Sequence, residues 1–397
     1  MRVLHIGKFW PPYAGGVERS MHGLCSRLAA AGATVDVLAH AAPGQWRGQA
    51  FGDAGVHVEL VGCPVQLAYT PVGPGFAPVL SRMLRERRPH LLHLHMPNPA
   101  ALWPLLLPAA RRLPWVLHWH SDIPLRQAPG PVRLIYPLYR PWQSALLARA
   151  QRIIATSPHY IDASEPLTRW RDKVRVIPLT LAQQPGPPPA AVEAARALWP
   201  VQGLRLLAVG RLSHYKGFDV LLRALARTRD INLVLIGSGE CESSLRQLRS
   251  ELGLEQRVRM CGALDDDARD AAYAAAELFC LSSVARSEAF GMVLLEAMRA
   301  RLPVVASLVP GSGINHVLDD GRAGRLAAAG DVQALADALS ETAADPARRA
   351  ALAAAGHARW QSHFCDDTAT HALLKLYQDM LRDWDGCVVR ADQSSAR

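Results

Sequence analysis

Two glutamates, Glu288 and Glu296, stand eight residues apart in SEAFGMVLLEAMRA, with an almost wholly apolar run between them. Residues 292–301 contain no Gly or Pro and are rich in Leu, Met, Ala and Glu, so they read as a helix. At ~100° per residue the apolar side chains cover nearly the full circle, which marks a buried helix. Glu296 then lies inside the protein, where an unpaired carboxylate is costly. It needs either a cation, for which Arg299 is the nearest choice, or the hydroxyls of a ligand. Glu288 sits at a strand-to-helix corner just before Phe290, Gly291 and Met292, where a carboxylate also suits a helix N-terminus. Arg211 and Lys216 flank another such corner. A guanidinium and an ammonium in that position could clamp a diphosphate, or be ordinary exposed loop cations.

Gly15 and Gly16 follow the opening strand RVLHIG and precede a helix. Glycines there let backbone N–H groups approach an anion, and they equally make a plain tight turn. His93, His95, His118 and His120 lie in two β-rich runs, HLLHLHM and WVLHWHSD, and each pair shares one strand face. No Cys or Glu at ligand spacing completes a metal site, so they read as core or cleft histidines. His120 and Asp122, at a strand end, are the most cleft-like. Asp265-Asp266-Asp267 matches the D-x-D of metal-dependent sugar transferases, but it precedes a helix, where Asp265 or Asp266 serves as N-cap. Neither a metal nor another cofactor is expected.

These residues need strands and helices to hold them. The first half alternates strands (RVLHIG, TVDVLAH, VHVELVG, HLLHLHM, WVLHWH, RIIATS, VRVIPL) with helical stretches. After the Pro-rich LAQQPGPPPAAVEAA the alternation restarts with LRLLAVG, NLVLIG, VRMCG, LFCLSS and PVVAS. Near-continuous apolar strands alternating with helices mean parallel sheets covered on both faces. The division expected is an α/β domain over 1–182, a linker over 183–203, a second α/β domain over 204–360 and a helix over 361–385 that packs back on the first domain. In open parallel sheets ligands sit outside the C-terminal strand ends, and the residues above cluster there. A Rossmann oxidoreductase would need G-x-G-x-x-G, which is missing.

Composition narrows the function further. Of the 397 residues 50% are hydrophobic and 20% charged, which excludes a disordered chain. Residues 1–180 hold 20 Lys/Arg against 9 Asp/Glu, a net +11, while residues 181–397 hold 24 against 26. A basic half points to nucleic acid, a membrane surface or anionic ligands; no nucleic-acid motif is present, so that partner is set aside. The seven scattered cysteines include no C-x-x-C and read as reduced thiols of a cytoplasmic protein. The opening apolar run is too short for a signal peptide, and no run is long enough for a spanning helix.

The ordered series KFWPPYAGGVERS, HLHMPNP, WHSD, GRLSHYKGFDVLLRAL, LVLIGSGE, RSEAFGMVLLEAM, PVVAS and GRAGRL resembles the retaining family 4 glycosyltransferases, of GT-B fold, over nearly the whole chain. That resemblance implies two Rossmann-like domains facing each other across a cleft. It implies a sugar moved with retention and without metal from a nucleotide diphosphate sugar, a GDP-sugar such as GDP-mannose first and a UDP-sugar second. The acceptor implied is lipid-linked or an oligosaccharide, in bacterial surface polysaccharide synthesis, with an anionic membrane surface as a further partner and a peripheral place on the cytoplasmic membrane. Arg211 and Lys216 would hold the diphosphate and Glu296 the ribose, with Arg299 supporting Glu296. Glu288 would contact the transferred sugar, with Phe290, Gly291 and Met292 offering backbone groups. Gly15 and Gly16 would approach the phosphate, and His120 the reacting anomeric centre. The stretch LVPGSGINHVLDDG departs from the plainer loop of many relatives and leaves the donor open. A GT-B sugar-nucleotide epimerase and a non-catalytic nucleotide-sugar-binding relative are the alternatives.

Overall fold

A computed structural model describes residues 1–13, 15–67, 70–123, 125, 130–199 and 203–395, with backbone alone at 67, 131, 366–367 and 385–395. The chain divides into two compact units, Met1–Leu179 with Asp366–Arg397, and Thr180–Cys365.

The first unit is built on an eight-stranded sheet. Its strands are β1 (Arg2–Phe9), β2 (Thr34–His40), β3 (Gln49–Asp53), β4 (Val56–Val61), β5 (Leu91–Met96), β6 (Trp115–Trp119), β7 (Arg152–Ala155) and β8 (Val174–Val176). They lie in the order β8-β7-β6-β5-β1-β2-β4-β3, parallel except for β3 on β4. Helix α1 (Gly16–Ala30) buries Met21, Leu24, Cys25 and Leu28, one stripe of its surface. These pack with Leu373, Tyr377 and Met380 of the last helix. Each such buried side chain contributes roughly 1.5–3 kcal/mol.

Helix α2 spans Gly130–Arg149. It contains Pro137 and Pro141, yet the helix is continuous through both. The two prolines are four apart, so they share one face, and both are exposed. Water can serve the carbonyls they leave without donors.

The second unit has a six-stranded parallel sheet of β9 (Leu204–Val209), β10 (Ile231–Ile236), β11 (Val258–Gly262), β12 (Leu278–Leu281), β13 (Val304–Leu308) and β14 (Arg325–Ala328). The order β11-β10-β9-β12-β13-β14 is that of a doubly wound sheet, with its topological switch between β9 and β12. Around it lie α3 (Phe218–Leu225), α4 (Asp266–Ala275) and α5 (Met292–Arg299). The stretch 183–203, read as a linker, belongs to this unit. Pro189 opens the helix Pro189–Arg196, and buried Trp199 donates its indole N–H to Leu206 O at 2.9 Å. The unit runs on past residue 360 through buried Trp360 and Phe364 to Cys365. The last helix, α6 (Asp366–Ser395), belongs to the first unit.

Candidate active site

The site in the second unit begins where β9 ends. Leu206, Leu207 and Ala208 are fully buried, so the strand delivers Gly210 and Arg211, just past its end, to a fixed place. Arg211 is exposed. A short 3-10 turn, His214–Lys216, then carries Lys216 inward, where only 6% of it is accessible. Gly217 follows at φ 61°, and a Cβ there would lie 2.2 Å from Ser282 O, so only glycine lets the loops after β9 and β12 come this close. Two bonds staple those loops: Ser282 Oγ donates to Lys216 O at 2.9 Å, and Val284 N–H to Tyr215 O at 2.8 Å.

The staples bring Lys216 Nζ onto the Glu288 carboxylate, 72 residues away, in a short ion pair. Ser283 Oγ donates to the same carboxylate at 2.9 Å, and Ser312 Oγ, from the loop after β13, donates to Glu288 O. Glu288 is buried. Burial pulls the Lys216 pKa down, but the charge of Glu288 outweighs it with help from Tyr215 and Glu296, and the pKa lies above its ordinary value. Lys216 is therefore a cation at neutral pH.

Glu296 lies buried on α5. Tyr273 OH donates to it at 2.8 Å, and Arg269 Nε stands 3.9 Å away. Both come from α4, one helical turn apart. Arg299, the expected support, turns away to Asp270 at 3.0 Å and Gln184 at 2.8 Å. The correction has a simple cause: α4 offers Asp270 to Arg299 and Arg269 to Glu296, and these oppositely charged pairs across helices replace the pair within one helix. Sequence reasoning missed Arg269, Tyr273, Ser283 and Ser312. The spacing of Arg269 and Tyr273 on one helix face was visible, but not what that face meets.

The D-x-D match resolves into a cap. Asp265 Oδ1 accepts from Ala268 N–H at 2.8 Å, and Asp266 pairs with Arg269 at 2.5 Å. The Phe290 ring is core, edge-on to Phe364 at 5.9 Å, so this residue offers a ligand only backbone. Gly291, at φ 87°, turns the chain into α5, whose N-terminus has no side-chain cap. Its first N–H groups, near Met292, suit an anion or a hydroxyl oxygen.

In the first unit Gly15 and Gly16 open α1, also without a side-chain cap. The carboxylate of Glu18 folds back there; its Oε2 is 1.9 Å from where a Gly15 Cβ would lie. A Cβ on Gly16 would meet nothing within 4 Å. Asp122 is engaged, accepting from Trp119 Nε1 at 2.9 Å and Ser164 Oγ at 2.7 Å.

His120 belongs to a larger group. His5 of β1, His93 and His95 of β5, His118 of β6 and His120 are all buried on one face of the sheet. His5 was not singled out in the sequence, because its pairing with His93 across β1 and β5 exists only in the fold. Two chains of bonds run through the rings. His5 Nδ1 meets His95 Nε2 at 3.1 Å, and His95 Nδ1 meets His120 Nε2 at 2.9 Å. Tyr377 OH meets His93 Nδ1, and His93 Nε2 meets His118 Nδ1 at 3.3 Å. Burial lowers every pKa of the five, His5 and His118 to about 3. The triads His5–His93–His95 and His95–His118–His120 each bring three ring nitrogens within 4.8 Å of one another. They do not converge as ligands should. His118 and His120 lie face to face at 4.1 Å and 14°, and His5 and His93 at 4.5 Å and 20°. A lone pair lies in its ring plane, so stacked rings aim theirs side by side rather than at one ion.

Comparison with known proteins matches residues 193–359 to the family Glycosyl transferases group 1 and residues 15–180 to the Glycosyl transferase 4-like domain. The D-rhamnosyltransferase WbpZ of Pseudomonas aeruginosa is 31% identical, covering 82% of this chain and 82% of its own. The O-antigen chain mannosyltransferase C of Escherichia coli is 29% identical, over 96% of this chain and 99% of its own. Among solved structures, sucrose-phosphate synthase from Thermosynechococcus elongatus superimposes with a TM-score of 0.80 at 23% identity, over 96% of this chain and 99% of that one.

Proposed function

The chain belongs to the group 1 glycosyl transferases, of GT-B fold, and from that premise we propose that it moves a mannose-like sugar with retention from a nucleotide diphosphate sugar to a lipid-linked or oligosaccharide acceptor. The donor base proposed first is guanine and second uracil, and the setting is bacterial surface polysaccharide synthesis. The relatives' names support the sugar, since D-rhamnose is a deoxy form of mannose. The observation that carries the reading is the buried pair of Lys216 and Glu288 at the switch point of the second sheet, with Glu296 on the next helix. A cation and two carboxylates, all buried and held by hydroxyls, are costly to assemble for structure alone.

In this reading Arg211 and Lys216 take the donor diphosphate and stabilise it as leaving group, as protein cations in place of a metal. Glu296, aimed by Tyr273 and Arg269, accepts the ribose hydroxyls. Glu288 accepts a hydroxyl of the transferred sugar, with backbone help from Phe290, Gly291 and Met292. The N–H groups of Gly15 and Gly16 take phosphate oxygen once Glu18 swings aside, and His120 meets the reacting end of the sugar. Incubation with a panel of sugar nucleotides, scored for nucleotide diphosphate release with and without acceptor and for product anomer by NMR, tests the whole reading. Release from no donor, or an inverted product, overturns it.

Two narrower results are expected. Arg211→Ala removes a charged hydrogen bond worth roughly 1.5–3 kcal/mol. It should therefore weaken nucleotide diphosphate binding about ten-fold or more by calorimetry; unchanged affinity removes Arg211 from the site. Transfer should also survive EDTA, and activity lost to chelation and restored by Mn²⁺ or Mg²⁺ removes the metal-free mechanism.

A membrane surface is the proposed location of the acceptor. No described helix is long and apolar enough to cross a bilayer. Helix α2 instead presents Leu134, Ile135 and Leu138 at 79%, 58% and 73% exposure, with Trp142 and the exposed Arg133 and Arg140 beside them. Large aliphatics with arginines suit an anionic interface, at ~1 kcal/mol per basic residue. Arg149, at the end of the same helix, is committed to structure, donating to Leu113 O at 2.9 Å and lying 4.8 Å from the Trp115 ring centre. Flotation should show more protein on anionic than on neutral vesicles, and Arg133→Glu with Arg140→Glu should abolish the difference. Equal recovery from both vesicles ends the idea.

A further inference from the structure

The chain His5–His95–His120 cannot satisfy itself, and the imbalance fixes how His120 works. The three rings are 0%, 2% and 4% exposed and joined by two hydrogen bonds of 3.1 and 2.9 Å. At the ends, His5 Nε2 and His120 Nδ1 are both buried without a hydrogen-bond partner among the described residues. A neutral imidazole carries one N–H and one lone pair. Three rings thus bring three N–H groups to two bonds, and one N–H is left over. The middle ring has a single N–H, so if His95 donates to His120 it must accept from His5, and the reverse holds too. The chain therefore runs one way or the other. One direction leaves the spare N–H on His120 Nδ1, and the other leaves it on His5 Nε2.

The two ends are not equivalent. His5 lies in the middle of β1, flanked by β2 and β5, where a buried N–H without an acceptor costs about 1–3 kcal/mol. His120 lies one residue past the end of β6, on the side of an open parallel sheet where ligands arrive. Nδ1 is itself covered in the free protein, so a substrate oxygen can accept from it only after a local movement uncovers it. The His118 ring stacked on His120 at 4.1 Å holds its orientation.

We propose that His120 presents a neutral Nδ1–H to a substrate oxygen, acting as a hydrogen-bond donor rather than a base, and that His95 and His5 are positioning residues that fix this tautomer. The reaction role rests on the reading that His120 meets the transferred sugar; the tautomer itself does not. With His95 Nδ1–H donating to His120 Nε2, the imidazole has no free lone pair with which to take a proton. It can stabilise negative charge growing on an oxygen that Nδ1–H already touches.

The test starts without substrate. Protein labelled with ¹⁵N at histidine alone is observed by long-range ¹H–¹⁵N correlation at pH 7.5, with His120 assigned from the spectrum of His120→Asn. The expected result is a protonated Nδ1 and a bare Nε2 on His120. In His95→Phe the preference should be lost, whereas His95→Gln, whose amide can still donate, should keep it. Kinetically, His95→Phe should lower kcat roughly ten-fold with donor KM little changed, as for one lost hydrogen bond, and His95→Gln should recover most of it. A wild-type His120 protonated on Nε2, or the same His120 signals in His95→Phe, overturns the proposal; should His95→Phe not fold, the wild-type and His95→Gln spectra still decide. Full turnover in His120→Ala would instead overturn the role of His120 in transfer and leave the tautomer standing.

Discussion

Lys216→Met should both destabilise the second unit and stop transfer, and the two losses should separate in the double variant Lys216→Met/Glu288→Leu. The single change leaves the Glu288 carboxylate buried with, among the described residues, only the Ser283 hydroxyl on it. Breaking a buried ion pair from one side costs roughly 3–5 kcal/mol, because the surviving charge has lost its partner. For a domain of this size that lowers the melting temperature by on the order of 10 °C. Replacing both partners with apolar side chains removes the stranded charge. Such exchanges are often neutral or stabilising, so the double variant should melt near the parent. It should still not transfer sugar, since removing one electrostatic donor to a developing charge costs about 10²–10³ in rate. Differential scanning calorimetry beside a nucleotide-release assay reads both quantities. A double variant as unstable as the single would show that the pair is not what the mutation disturbs. A double variant that turns over would show that the pair is structural.

The separation matters because stability and function compete for the same residues. Lys216 is kept cationic by Glu288, which raises its pKa against the pull of burial. The carboxylate proposed to accept a sugar hydroxyl is thus the one that holds charged the ammonium proposed for the diphosphate.

The sequence revealed the corners that carry the candidate residues better than the partners that hold them. Gly217 had to be glycine at φ 61°, and GRLSHYKG could be read as a strand-to-helix corner with Lys216 just before it. Asp265 as a helix cap followed from an aspartate before a helical run. Both are local matters, decided within a few residues. What could not be read were pairings made by packing. Arg299 was the nearest cation to Glu296 along the helix, but α4 crosses with Arg269, Asp270 and Tyr273 and rearranges the pairs. His5 has no histidine within reach in sequence, yet register sets it beside His93, 88 positions away. The stretch read as a linker shows the same limit. Proline-rich composition says that a chain cannot join a ladder, but not that Trp199 will anchor it on β9. Helix α2 shows another local limit, since it runs on through Pro137 and Pro141, residues that ordinarily kink or break a helix.

Acid should begin to unfold the first unit before its carboxylates titrate. The five histidines on one face of its sheet are held neutral by burial, and each folded pKa lies below the unfolded value of 6.5, with His5 and His118 at about 3. The sign follows from proton counting. Above pH 6.5 neither state binds protons at these rings, and they leave stability unchanged. Below it the unfolded chain binds a proton at each ring while the folded one does not, so stability falls with pH until the folded pKa is reached. Each ring costs about 1.4 kcal/mol per pH unit in that window. His5 and His118 alone then remove roughly 4 kcal/mol between pH 6.5 and 5, and the other three act in the same direction. A domain stable by about 5–15 kcal/mol cannot absorb that for long, and the loss should be complete before pH 4.5. Trp115 and Trp119, buried on β6, the strand that carries His118, make near-UV circular dichroism and tryptophan fluorescence reporters of this unit. Calorimetry at pH 5.5 in buffers of different ionisation enthalpy should show about five protons taken up on unfolding of this unit, and about one fewer in His118→Phe. An uptake below two, or a native near-UV signal that persists to pH 4, would mean that the rings are charged in the fold, and the neutral hydrogen-bonded chains drawn here would have to be abandoned.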